Sequence, residues 1–133
     1  MFGDRRLIDK TTRNLQLIKT MTQMERAMQV RTVGEIIAMR ELYYFDETDQ
    51  KKRVSVIVGK PQPLPNSSEF QCHFQLIGIG NPALHTARGY DSLQALQSAL
   101  TSAGTNVKHL NVKLARGLIW DGSAKGDLGF PGQ

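Results

Sequence analysis

The sequence predicts a small α+β domain: an antiparallel sheet of about four to five strands, one well-capped helix packed on it, and an N-terminal amphipathic helix. Three observations lead there. Val54, Val56 and Val58 alternate with polar or outward positions, as do Phe70, Cys72, Phe74 and Leu76, and a period of two is that of a half-buried strand. After Asp91 the apolar residues switch to a helical period. The order of elements, helix, hairpin, strands, helix and a final strand, has no βαβ alternation and places the helices on one face of an antiparallel sheet.

Residues 9–30 read as the first helix. Leu17, Met21, Met24 and Met28 recur at spacings of four, three and four and line one face, and Asp9 stands where a cap belongs. Thr11, Thr12, Thr20 and Thr22 lower its propensity. A methionine stripe adapts to irregular surfaces, which makes Leu17, Met21, Met24 and Met28 candidates for contact with a partner, flanked by Arg13 and Arg26.

Residues 35–45, rich in Ile and Tyr, read as a strand with no clean register. Ile37, Met39, Glu41, Tyr43 and Phe45 share one face, and Ile36, Ala38, Arg40, Leu42 and Tyr44 the other. A charge falls mid-face either way, which predicts a bulge or a sheet edge. Asp46 to Lys52 is a polar turn, and 53–59 returns as the second strand of a hairpin, with Val54, Val56 and Val58 inward. Pro61, Pro63 and Pro65 make Lys60 to Glu69 a stiff loop without PxxP spacing. Residues 70–78 form the clearest strand, with Gln71, His73 and Gln75 on its second face. A short strand over Ala83 to Arg88 follows the turn at Gly80-Asn81-Pro82.

Asp91, three residues before Gln94, has the spacing of a capping box. Leu93, Leu96, Leu100 and Ala103, widened by Ala99, form the expected apolar stripe, and Gly104 is expected to close the helix. Residues 107–120 fit either period. Leu118-Ile119-Trp120 before Asp121-Gly122 reads as a strand entering a tight turn, and Phe130-Pro131 is the anchor of a glycine-rich tail.

Charge is concentrated at one end. Of the formal +5, residues 1–31 contribute +4, from seven basic side chains against three acidic ones; the other 102 residues hold ten basic and nine acidic. The division is therefore a basic helical arm, 1–33, and a nearly neutral α+β domain, 34–133. No apolar run approaches the length of a membrane span, and no apolar core follows Arg5 and Arg6 as in a signal peptide. A lone cysteine forms no intramolecular disulfide. A cytoplasmic protein that does not engage membranes is the expectation.

Catalytic patterns fail on geometry. Gly78-Ile79-Gly80-Asn81-Pro82-Ala83 fits the dinucleotide fingerprint, but Pro82 removes an amide and no helix opens there to meet a pyrophosphate. Cys72, His73, His85 and His109 lack paired-ligand spacing for a metal, and neighbours on a strand point Cys72 and His73 to opposite faces. Cys72 is expected to pack in the core. There is neither a G-x-S-x-G elbow nor a P-loop. A protein without enzymatic activity, cofactor or metal is expected.

Several landmarks also carry a resemblance. They are Arg40-Glu41, Val58-Gly59-Lys60-Pro61, Cys72, the run from Gly89 through Tyr90, Asp91, Ser92, Leu93, Gln94 and Ala95 to Leu96, Trp120, and Gly126 to Pro131. The stretch Gly34 to Pro131, about three-quarters of the chain, resembles a small bacterial domain family of unknown function. The helix-start run and the closing Gly-Phe-Pro are its most specific parts. No activity comes with the resemblance. By analogy with other small bacterial proteins, it implies a non-enzymatic module that binds a larger protein or itself, as an immunity or accessory protein does. The alternative is a nucleic-acid-associated domain using the basic arm electrostatically.

Overall fold

The computed structural model describes residues 32–123 and 125–132. The expected helix over 9–30, with Leu17, Met21, Met24, Met28, Arg13 and Arg26, lies outside them.

Five strands form one antiparallel sheet: β1 (Ile36–Phe45), β2 (Lys51–Gly59), β3 (Gln62–Pro63), β4 (Phe70–Ile77) and β5 (His85–Gly89). Phe74 pairs with Val58 of β2 on one side and with His85 of β5 on the other. Phe70 and Gln71 pair with both β3 and β5. A strand has only two edges, so β2 and β3 lie end to end along one edge of β4 and β5 lies along the other. The stiff proline loop expected from Lys60 to Glu69 thus contains a strand of two residues. Pro63 is tolerated there because so short a strand needs little from the missing N–H.

The β1–β2 hairpin turns at Asp46, whose Oδ1 accepts the N–H of Thr48 at 2.8 Å, its hydroxyl at 2.7 Å and the N–H of Gln50 at 2.9 Å. A side chain that satisfies its own turn in this way explains why the chain reverses at Asp46. Both devices expected of β1 are present: it is an edge strand, and its register slips between Ile36 and Ala38. The slip does not sit at the mid-face charges, which are accommodated otherwise. Glu41 accepts the Ser55 hydroxyl at 3.1 Å and pairs with Arg53 at 3.4 Å across the strand.

Helix α1 (Ser92–Lys113) opens on a near-reciprocal cap. Asp91 Oδ1 accepts the Gln94 N–H at 2.8 Å, and Gln94 Oε1 accepts the Tyr90 N–H at 2.7 Å. Its buried face is Ala95, Ala99, Ala103, Gly104 and Val107. This corrects the stripe expected from leucines: Leu93 is 62% exposed, and Leu96 and Leu100 are only partly buried. Close approach is the reason. Gly89 of β5 lies so near that a Cβ there would meet the Ala95 backbone nitrogen, and only small side chains fit between helix and sheet. Nor does Gly104 end the helix. A mid-helix glycine costs about 1 kcal/mol, and burial of Val107 with Leu110 and Leu114 beyond it outweighs that. Residues 107–113 are accordingly helix. Leu118 to Trp120 contribute a single β-bridge, Ile119 to Tyr43, and a turn closed by Ser123 N–H on Trp120 O at 3.1 Å.

A helix about 10 Å across covers about two strands spaced about 4.8 Å apart. In agreement, α1 lies mainly over β5 and β4. Leu118, Leu128 and Phe130 of the C-terminal segment join the same core with Leu42, Val54, Val56, Val58, Cys72, Phe74 and Leu76. No described helix is long and apolar enough to cross a membrane.

Candidate functional site

The seam where α1, the C-terminal segment and the β1–β2 half of the sheet meet holds the least expected side chain of the inner face. Arg40 projects from β1 with Leu42 and Tyr44, a register that sends it inward. Its guanidinium carbon lies 3.9 Å from the Trp120 ring centroid and 5.1 Å from that of Phe130. One terminal nitrogen donates to the Leu128 carbonyl at 3.0 Å. Gly129, at φ +77°, lies against both partners: a Cβ there would collide with the Trp120 ring and stand 2.7 Å from an Arg40 nitrogen. The glycine is thus required twice, for its left-handed backbone and for the missing side chain. A planar cation between two aromatic rings holds the tail on the sheet.

Beside this cluster is an open pocket of about 270 Å³. Met39, Val56, Val58, Leu100 and Phe130 are among its walls, with Arg40 the charged residue of its lining. Every residue of the cluster and pocket falls within 38–132, the stretch matched by the model of the Domain of unknown function family (DUF6968). The chain belongs to the DUF6968 family. No curated protein and no solved structure matches it.

The DUF6968 domain presents a second surface on the other side of its sheet. Register and alternation place Met39, Ile57 and Gln75 in one row across β1, β2 and β4, with Ile77 diagonal to Ile57. Met39 is 58% exposed, Ile77 39% and Ile37, two residues before Met39, 44%. Among the described residues no helix packs on this face. The adjoining edge of β1 is also open. Tyr43 exchanges 3.1 and 2.8 Å hydrogen bonds with Ile119, so the N–H and C=O of Met39 and Glu41 point the same way, and no strand meets them among the described residues.

The thiol and imidazole side chains are spread apart. Cys72 is fully buried, its thiol donates to the Gly59 carbonyl at 3.3 Å, and burial pushes its pKa up. His73 faces the opposite side and meets the Thr86 hydroxyl at 2.8 Å, while His85 stacks on Phe74 with centroids 4.8 Å apart. His109 is exposed on α1. Gly78 to Ala83 joins β4 to β5 as a turn, with Gly78 at φ +109° and Gly80 at φ +63°, and no helix starts there. Among the described residues no three His, Cys, Asp or Glu side chains are placed to hold a metal ion.

At the far end of the hairpin, an open groove of about 550 Å³ runs between Phe45, Thr48 and the C-terminal end of α1. Its Arg116 is engaged with Asp49 at 2.6 Å. Tyr43 nearby donates to Asp121 at 3.1 Å, and that bond raises the phenol pKa.

The sequence marked Arg40 as an awkward mid-strand charge and missed its partners. Trp120 and Phe130 lie 80 and 90 positions away, beyond the reach of any periodicity argument. The one available signal was that Arg40, Trp120 and the Gly-Phe-Pro run all stand among the family-like landmarks.

Proposed function

We propose that the domain is a non-enzymatic protein-binding module that engages its partner through the helix-free sheet face and the open edge of β1. The observation that carries this reading is the apolar patch of Met39, Ile57 and, diagonal to it, Ile77, beside strand groups that no strand meets among the described residues. An extended partner segment added along β1 satisfies the outward backbone groups of Met39 and Glu41 and lays its own side chains beside the apolar row. An uncovered edge of this kind otherwise invites indiscriminate pairing. The slip at Ile36/Ala38 and the Ile119 bridge limit the open stretch to a few residues, which favours a short, specific match.

The test is affinity capture with the full chain, run beside a Met39→Lys variant that puts a charge on the same edge. A protein retained by the wild type and lost by the variant, with unchanged unfolding, supports the reading; identical recoveries refute it. Sedimentation velocity over a concentration series reads the case in which the partner is a second copy. Nucleic acid that co-purifies and dissociates steeply between low and physiological salt favours the alternative, phosphate binding by the basic arm.

A further inference from the structure

We infer that the pocket beside Arg40 is a binding site for a short aliphatic carboxylate, with the acid group on the guanidinium and the hydrocarbon body against Val56, Val58 and Leu100. The first ground is electrostatic. Among the four arginines of the described residues, Arg53 pairs with Glu41 at 3.4 Å, Arg88 with Glu69 at 4.0 Å and Arg116 with Asp49 at 2.6 Å. Arg40 has no carboxylate within that range among the described residues, although it is the one of the four that is half-buried. A partly desolvated cation without a counter-ion is costly, and a guanidinium carries five donors, of which the Leu128 carbonyl takes one. The rings of Trp120 and Phe130 stabilise its charge but accept no hydrogen bond in the guanidinium plane.

The second ground is shape. The guanidinium lies against Gly129 and Phe130, which are themselves walls of the pocket. Its remaining walls are aliphatic, so a ligand that fits has one anionic end and an apolar body. At about 270 Å³ the space is just below the range that drug-sized ligands occupy, roughly 300–1,000 Å³, and suits a small molecule. One planar fork matches one carboxylate bidentately. A phosphate ester would bring a second charge, and among the described residues the lining offers it no second cation. Met39 lines this space too, so the site adjoins the strand-pairing surface, but its test reads small-molecule binding and does not depend on that reading.

The experiment titrates hexanoate into the full-length protein by calorimetry and by the emission of Trp120, the sole tryptophan, with hexanamide as the neutral isostere. Hexanoate is expected to saturate with a Kd on the order of 1 mM, as befits about eight heavy atoms in a small pocket. Hexanamide is expected to bind roughly tenfold more weakly. Arg40→Gln is expected to abolish the preference for the acid, and Leu100→Phe, which fills the pocket from the partly buried helix face, to abolish binding of both. Should Arg40→Gln fail to fold, the comparison of acid with amide on the wild type still decides. Equal affinity for acid and amide, absence of saturation, or full binding by a folded Arg40→Gln protein overturns the proposal.

Discussion

Replacing Arg40 by methionine keeps most of the stem and removes the cation, and the structure sets the expected loss. The hydrogen bond to the Leu128 carbonyl, donated by a charged group, contributes about 1.5–3 kcal/mol net. The ring contact to Trp120 at 3.9 Å adds about 0.5–2 kcal/mol, and the longer one to Phe130 less. Against these stands relief from holding a partly desolvated charge, together with the packing that a flexible thioether recovers. The balance is a destabilisation of about 2 kcal/mol, roughly 10 °C in Tm for a domain of this size. Urea unfolding followed through Trp120 reads the site and the global transition at once. Arg40→Lys, which keeps the charge and loses the planar stack, is expected to fall between the two. A double-mutant cycle with Trp120→Phe, followed by far-UV circular dichroism because that variant lacks the reporter tryptophan, is expected to show coupling of about 1 kcal/mol. An Arg40→Met protein within about 0.5 kcal/mol of wild type, or additive single mutants, refutes the claim that this cation holds the tail on the sheet.

Gly89→Ala forces a methyl against the Ala95 backbone, which has no rotamer to yield, and is expected to cost at least the roughly 1–3 kcal/mol of overpacking, read by denaturant unfolding. Asp91→Ala removes the cap on Gln94 and is expected to cost about 1 kcal/mol in the same assay, without altering ligand or partner binding. Cys72 is expected to resist thiol reagents until the chain unfolds; rapid stoichiometric labelling of the native protein contradicts its place in the core. Its raised folded-state pKa also gives a sign: the contribution to stability is complete below the unfolded thiol value of about 8.5 and declines as pH rises above it. A Cys72→Val protein is expected to lack that alkaline slope. Asp46 acts at the other limit. The Gln50 N–H, then the Thr48 hydroxyl, lower its pKa, so its contribution is present above the unfolded value of about 3.9 and is lost as pH falls through the lower folded value. Asp46→Asn is expected to flatten the acid limb of a stability-versus-pH curve.

Local rules written into neighbouring residues determined much of this protein. Val54, Val56 and Val58, and likewise Cys72, Phe74 and Leu76, are buried on the face that their alternation assigned, because a strand has no other way to hide every second side chain. Asp91 caps its helix because the carboxylate needs only its own backbone to do so. The turn within Gly78 to Ala83 and the anchor at Phe130 were equally legible. Tertiary structure decided what depends on contacts between distant segments. The buried face of α1 follows its alanines rather than its leucines, since the sheet at Gly89 approaches too closely for larger side chains. The helix passes through Gly104 because Val107 finds a core to enter, which no propensity scale records. Arg40, a misfit within its own strand, turns inward only because a helix about two strands wide leaves the β1–β2 half of the sheet to Trp120 and Phe130, and their rings make that position tolerable for a cation.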